Sequence, residues 1–484
     1  MLFTSLSFFW LLTATLFLYY VVARTAALQI GVLVAASLVF YAWENPLLLI
    51  LLAFCTGVAA GVSRAVAVDA AGGGRHRAGW LVFGGVAVLL AMLAYFKYSK
   101  LFYWTFHAEA ARVYHAFHGE GAGWAWRQFL LGMPLPIGIS FYIFHGISLI
   151  VDTWRGDWKP PAREGGLSAF GRTTLYMVFF PQLIAGPITK ARDFFPQIQT
   201  PASGVKRWKE IDFIAVARLL IAGYFFKRVV ADNLATETMW MGAGSYEGLP
   251  GFHLLLLLFG FSAQIFADFY GYSLIALGLG RLFGFRLPVN FDRPYLAASF
   301  SEFWRRWHMS LSAWLRDYLF IPLGGSRHGL ARTAVNLMIV MFLGGLWHGA
   351  AWGFAFWGLF HGAALALERP FLRKEGESSG VERAVRIAIV FSLVTFGWLF
   401  FKFPNLGQAF AYLHAIGANW PKKILLQQCA PVLLCLIPVF LHHASPFLFP
   451  KGFSARLEAW TLAAMLFLLL VNSGVPGAFI YFQF

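Results

Sequence analysis

Charge is what this sequence has least of. Asp, Glu, Lys and Arg make up 12% of its residues, about half the share of a soluble globular domain, which excludes a soluble enzyme carrying a single anchor. Cysteine is nearly absent, and Cys55, Cys429 and Cys435 all lie in apolar runs. That excludes a disulfide framework or a CxxC site and leaves the thiols as small core hydrophobes. No GxSxG elbow, P-loop, HExxH or zinc-finger spacing occurs, so those catalytic signatures are missing and no metal site is expected. Acids are scarcer than bases, 22 against 38, giving a net charge of +16. Without a basic tail or a single-strand-binding pattern, the excess reads as Lys and Arg on cytoplasmic loops, and nucleic acid is not an expected partner. The first apolar run starts near Ser5 with no basic n-region and no A-x-A-like site, which predicts a retained helix rather than a cleaved signal.

What the chain has in quantity is apolar sequence, 59% of its residues. Runs long enough to cross a bilayer recur from end to end, and they lack the alternation of a membrane barrel. The expected fold is an all-α polytopic membrane protein, one integral domain over 1–484 with its catalytic core at about 129–367. Helices are expected at 5–23, 26–43, 46–68, 80–98, 129–151, 167–188, 211–230, 252–283, 333–345, 350–366, 385–403, 424–441 and 457–471. No Lys or Arg precedes Arg24, which puts the N-terminus outside, and Arg64, Arg75 and Arg77 mark a cytoplasmic turn. Beyond Lys97 the alternation blurs. Two Pro/Gly-rich stretches, 132–138 and 180–187, would break helices and read as re-entrant segments or as loop ends of spans. The basic loop 190–209 reads as cytoplasmic, and 369–386 as the most water-soluble linker. No repeat of fixed period is present.

The stretch 303–362 is the polar anomaly. It holds His308, His348 and His361 with Arg305, Arg306, Arg316 and Arg327, and ionisable groups in a membrane protein usually face a cavity, a partner or a reaction. Ser299 and Glu302 are spaced as a capping box, so a helix should start there and run to Phe320. On one continuous wheel Trp304, Trp307, Leu311, Trp314, Leu315 and Tyr318 form a stripe. Arg305, Ser312 and Arg316 share the next face, and His308 lies between the two. Such a helix is too polar to span; it fits the membrane interface, either as an anchor or with its arginines holding a phosphate or carboxylate. The following apolar run, 333–345, covers only about two-thirds of the hydrocarbon core. It is expected to be interrupted over 344–349, leaving His348 well inside the bilayer. A neutral histidine there can accept a proton from a hydroxyl, or it can pack or relay protons. His361 and His145 read as packing residues, with a second polar ligand of the cavity as the alternative for His361. Asp268, in FADFYGYS, needs a buried partner, with an arginine the natural one.

Several long motifs then appear in order: FFPQLIAGPI (179–188), FADFYGYSLIALGLGRLFGFRLPVNFDRPYL (266–296), FWRRWHMSLSAWLRDYLFIPLGG (303–325), GGLWHGAAWGFAFWGLFHG (344–362) and the terminal FIYFQF (479–484). In these the chain resembles the membrane-bound O-acyltransferase (MBOAT) family, and most of all its bacterial branch acting on polysaccharides such as alginate. The resemblance is strongest over 175–365. It implies a helical bundle with a transmembrane tunnel, with the family's invariant histidine at His348 and its second histidine at His308. It implies catalytic roles for both, and substrate-binding roles for Arg305, Trp307, Arg316, Trp347 and Asp268. It also implies a donor such as acetyl-CoA, used as substrate with no permanently bound cofactor. Further implied are periplasmic acetylation proteins, exopolysaccharide and membrane lipid as partners, and a place in the bacterial inner membrane. D-alanyl transfer, peptidoglycan acetylation and a transporter without acyl chemistry stand as alternatives.

Overall fold

The computed structural model describes residues 1–118, 136, 138–161, 165–183, 186–199, 204–242, 244–371, 380–424, 426–477 and 479–480. Among these residues all regular structure is helical. The chain packs into two compact units, one of Met1–Ile184 with Ile188–Glu210, the other of Ala185–Pro187 with Ile211–Phe484.

The first unit holds α1 (Leu6–Phe17), α2 (Ala26–Ala42), α3 (Leu48–Ala71), α4 (Arg75–His118), α5 (Ile139–Arg155) and α6 (Gly166–Val178). Ser5 and Thr25 cap α1 and α2 through their hydroxyls, which satisfies backbone N–H groups left over at a helix start. The 44 residues of α4 continue well past the expected 80–98. At 180–187 the helix does break. α6 ends at Val178, Phe179 leaves helical geometry, and one turn follows over Phe180–Leu183, with Pro181 inside it. Most of the other Pro/Gly stretch, 132–138, lies outside the described residues, as do 184–185. His145 is fully buried on α5. Its Nδ1 lies 3.3 Å from the Met177 carbonyl oxygen, and its Nε2 accepts from the Thr189 N–H at 3.3 Å. The ring therefore ties α5 to two neighbouring segments.

The second unit comprises α7 (Phe213–Tyr224), α8 (Asp232–Thr238), α9 (Gly251–Leu282), α10 (Phe300–Arg306), α11 (Met309–Leu315), α12 (Gly329–His348), α13 (Trp352–Glu368), α14 (Gly380–Lys402), α15 (Leu406–Ala418), α16 (Leu426–Leu448) and α17 (Ala455–Val471). Across both units six of the described helices are long and apolar enough to cross a membrane: Leu48–Ala70, His76–Tyr98, Gly251–Leu282, Gly329–His348, Gly380–Lys402 and Leu426–Leu448. Large apolar side chains such as Phe440, Phe467 and Leu470 stand exposed on them and on α17. In water that surface would be a liability; facing lipid it is not. The protein is an all-α multi-pass membrane protein.

The axis of the second unit is α9, 83% buried along its most apolar stretch. It can be so enclosed because α7 and its π-helical extension approach it backbone to backbone. A Cβ at Gly223 would sit 2.9 Å from the Gly271 carbonyl oxygen, and one at Gly271 2.7 Å from the Lys227 nitrogen. That close crossing brings Lys227 beside Asp268.

The expected interruption at 344–349 is confined to its far end. The helix runs unbroken through Gly344-Gly345 to His348, 20 residues in all, and the break falls at Gly349–Ala351. The glycines serve packing instead. A Cβ at Gly345 would collide with the Phe354 carbonyl oxygen, and one at Gly358 with that of Met341. α12 and α13 therefore touch through small residues, as closely packed membrane helices do. At about 30 Å long, α12 is a full span, so the half-span argument for the depth of His348 does not hold. Gly358→Val is expected to force these helices apart at a cost of about 1–3 kcal/mol or more. The loss should show as a lowered melting temperature in detergent and poor accumulation in the membrane.

Candidate active site

The Ser299 cap forms, and the Glu302 carboxylate returns to the amide one residue before it. Ser299 Oγ accepts from the Glu302 N–H at 3.0 Å, and Glu302 Oε2 accepts from the Ala298 N–H at 2.8 Å. The helix it starts stops after seven residues, at Arg306. Trp307 turns extended, and His308 takes a left-handed conformation with φ 43° before α11 begins. The segment around Asn290 absorbs the freed backbone groups. The Asp292 N–H donates to the Arg306 carbonyl at 3.0 Å and the Met309 N–H to the Asn290 carbonyl at 2.9 Å. The Ser310 hydroxyl donates to Asn290 Oδ1 at 2.6 Å. A non-glycine residue at positive φ costs on the order of 1–3 kcal/mol and marks functional sites often enough to be weighed. Arg293, on the same pairing segment, is the other described non-glycine residue at positive φ.

This break corrects the single-wheel reading. Arg305 and Arg316 lie on different short helices, and both are exposed. Arg316 Nε donates to Asp317 Oδ1 at 2.8 Å. His308 is 1% exposed, so it does not share an aqueous face with them.

What the structure brings together is a file of histidines and tryptophans. The His308 ring stands edge-on to Phe269 at 4.5 Å and lies 6.1 Å from Trp347. Trp347 is 4.9 Å from His348, His348 is 5.2 Å from Trp357, and Trp357 is 4.8 Å from His361. Phe401 flanks His348 at 5.1 Å. The geometry of α12 explains the centre of this file. Its last two residues, Trp347 and His348, project where the helix ends and the chain turns into α13, and close packing through Gly345 and Gly358 brings Trp357 against the His348 ring. His361 is fully buried among Phe300, Phe303, Trp304, Phe360 and Trp357. Neither ring nitrogen of His308 or of His361 has a hydrogen-bond partner among the described residues. Trp307 is enclosed by Phe266, Phe291, Phe303 and Trp398, a wall rather than an open surface.

Asp268 has its partner, and the arginine expectation is corrected to a lysine. Lys227 Nζ donates to Asp268 Oδ1 at 2.6 Å and lies 2.8 Å from Asp232 Oδ1, with all three side chains nearly inaccessible. Asp268 Oδ2 accepts from the Ile480 N–H at 2.7 Å. Arg228 pairs with Asp232 and donates to the Gly474 carbonyl at 2.8 Å. Phe479 packs on Phe269, the ring that also meets His308. The ionic cluster thus fastens Gly474 and Ile480, and with them Phe479, to the back of the histidine file, while residues 478 and 481–484 lie outside the described residues. Sequence reasoning missed Lys227; a lysine inside the apolar run 211–230 was its signal. It also missed His442 and His443 on α16. His443 stacks on Tyr295 at 5.2 Å, and His442 lies 4.8 Å from Tyr270.

Glu302 lies on the short helix α10, outside the span-length helices, and pairs with Arg306 at 2.8 Å and with Arg383 of α14 at 3.1 Å. Burial alone would raise its carboxyl, but the Ala298 amide, Arg306 and Arg383 outweigh burial and hold it below the usual value of 4.5. A depressed carboxylate stabilises the fold in full above its unfolded pKa, and the contribution fades as pH falls through the folded value. Glu302→Gln is therefore expected to lower the melting temperature at pH 7 and to narrow the gap between pH 7 and pH 4, read by thermal melts in detergent.

An all-helical, multi-pass bundle defines an integral membrane protein, and sequence comparison gives its family. Residues 156–401 match the model of the membrane-bound O-acyltransferase family. The chain is 37% identical over 392 residues to the probable alginate O-acetylase AlgI of Azotobacter vinelandii, covering 78% of this chain and 70% of that protein. It is 31% identical over 412 residues to the peptidoglycan O-acetyltransferase of Helicobacter pylori, covering 80% and 73%. With the teichoic acid D-alanyltransferase of Streptococcus thermophilus it shares 28% over 296 residues, covering 55% and 68%. The chain belongs to the membrane-bound O-acyltransferase family and is an O-acyltransferase.

Proposed function

We propose that this enzyme takes an acetyl group from a cytoplasmic donor such as acetyl-CoA and passes it across the bacterial inner membrane. Periplasmic acetylation proteins then place it on hydroxyls of an exopolysaccharide, alginate or a similar polymer. The observation that carries this reading is that the family match, 156–401, contains the whole histidine file, in a chain most of which aligns with relatives named as O-acetylases. Identity and coverage are both lower for the D-alanyltransferase, which favours acetyl over D-alanyl. The peptidoglycan relative keeps peptidoglycan as a second acceptor.

In the mechanism, His348 is the general base. A ring held by Trp347, Trp357 and Phe401 is fixed in orientation. A neutral imidazole takes the proton of the acceptor hydroxyl as its oxygen attacks the acyl carbon, and the departing thiolate leaves with the electron pair of the broken bond. His308, across Trp347, donates a hydrogen bond to the oxygen on which negative charge develops. Arg305 and Arg316, being exposed, meet the charged part of the donor at the aqueous surface. Asp268 acts through position, by holding Ile480 in place. No permanently bound cofactor or metal enters the step.

The test is transfer itself. Membranes containing the protein are supplied with acetyl-CoA labelled in the acetyl group, and label is followed into secreted polymer and peptidoglycan. Label in exopolysaccharide that depends on this chain supports the reading. Label confined to peptidoglycan moves the acceptor, and transport of polymer without label in either sinks the acetyl-transfer reading.

A further inference from the structure

We infer that Asn290 is a further catalytic residue of the acyl transfer, its side-chain amide donating a hydrogen bond to the oxygen on which negative charge develops. Asn290 lies between α9 and α10 and is 1% exposed. Two backbone bonds lay its segment along the break between α10 and α11. The Asp292 N–H donates to the Arg306 carbonyl, and the Met309 N–H to the Asn290 carbonyl. The second bond sets Asn290 against the residue that follows His308. Rings close the surroundings. Phe291 meets Trp307 at 5.1 Å and Phe269 at 5.0 Å, and Phe269 is the ring to which His308 stands edge-on.

The side chain is oriented as well as placed. Its Oδ1 accepts from the Ser310 hydroxyl at 2.6 Å and from the Ser310 N–H at 3.4 Å. A backbone N–H can only donate, so the amide oxygen faces Ser310 and the NH2 group points elsewhere. Its Nδ2 is buried and has no hydrogen-bond partner among the described residues. Buried donors in native proteins are nearly always satisfied. One held in a fixed direction beside His308 is a preorganised donor for substrate, and asparagine amides serve in this way for the tetrahedral intermediates of acyl transfer.

The inference rests on the reaction proposed above. The acceptor oxygen bonds to the acyl carbon while His348 takes its proton, and the carbonyl electron pair moves onto the acyl oxygen. His308 and Asn290 donate to that oxygen from adjoining segments. When the pair returns, the carbon–sulfur bond breaks. Sulfur leaves with its electrons and collects the proton from His348.

The test is kinetic, on the full-length enzyme in membranes with acetyl-CoA labelled in the acetyl group. Asn290→Asp keeps an oxygen for Ser310 and replaces the NH2 donor with an acceptor. Its kcat is expected to fall about 10²–10³-fold, with KM for acetyl-CoA near the wild-type value, in protein that still folds. Protonation gives that carboxyl a donor again, so the ratio of variant to wild-type kcat should rise as pH falls. A purely structural amide would leave the ratio flat. Asn290→Ala lacks a donor at every pH and should show the loss without the recovery. If the aspartate variant does not accumulate, Asn290→Ala decides by its kcat against its KM. A folded variant that transfers at the wild-type rate overturns the inference, as does a loss that follows the melting temperature with no recovery at low pH. Wild-type membranes that transfer no label count against the acetyl-transfer reading itself, whereas variants that match an active wild type count against Asn290 alone.

Discussion

His348→Ala is expected to abolish acyl transfer while the protein still inserts and folds. A positioned general base is worth about 10²–10⁴ in rate, and no other described residue occupies its place at the end of α12 between Trp347, Trp357 and Phe401. Truncating a buried ring also costs packing, on the order of 2–5 kcal/mol by analogy with other large-to-small changes. His348→Gln separates the two effects, since it fills more of the space but takes no proton. Both variants should lose transfer, with the glutamine variant melting closer to wild type. A folded His348→Ala protein that acetylates at the wild-type rate would remove the residue from the mechanism. His308 has its own discriminator. Its backbone is left-handed, a conformation glycine takes freely. His308→Gly therefore deletes the ring while the relieved strain offsets part of the lost packing, and loss of activity in a variant that still folds would mark a chemical role. Full activity in that variant would make His308 structural.

Asp268→Ala should be among the most destabilising single changes outside the histidine file. It leaves Lys227 buried with only Asp232 beside it, and it removes the acceptor for the Ile480 N–H. Breaking a buried ion pair from one side costs about 3–5 kcal/mol. Two readouts are expected to move together: the melting temperature falls, and hydrogen exchange at the Ile480 amide that Asp268 holds speeds up. Asp268→Asn keeps an acceptor oxygen but loses the charge, so it should fall between wild type and alanine. If Asp268→Ala melts like wild type with the Ile480 amide still protected, the cluster is not what holds Ile480 in place.

The parts of the fold legible in the sequence were those set by composition. Apolar runs such as 252–283 and 457–471 became helices within a few residues of expectation, because a backbone in hydrocarbon must satisfy its own hydrogen bonds. The cap at Ser299 was legible for a similar reason, being a contact within four residues. The helix Leu406–Ala418 was not expected at all.

By itself the sequence determined that this is an all-helical membrane protein of the O-acyltransferase family, and it singled out His308 and His348. Burial in lipid and the spacing of motifs are properties of the chain read in order. Only the tertiary structure decided that 299–320 is two helices hinged at His308, because the partner that accepts the broken ends, Asn290, comes from another segment. Only the tertiary structure turned Gly345 from a helix breaker into a contact with α13, and paired Asp268 with Lys227 rather than an arginine. Each of those outcomes depends on a group far away in sequence, and local propensity carries no record of which distant group will arrive.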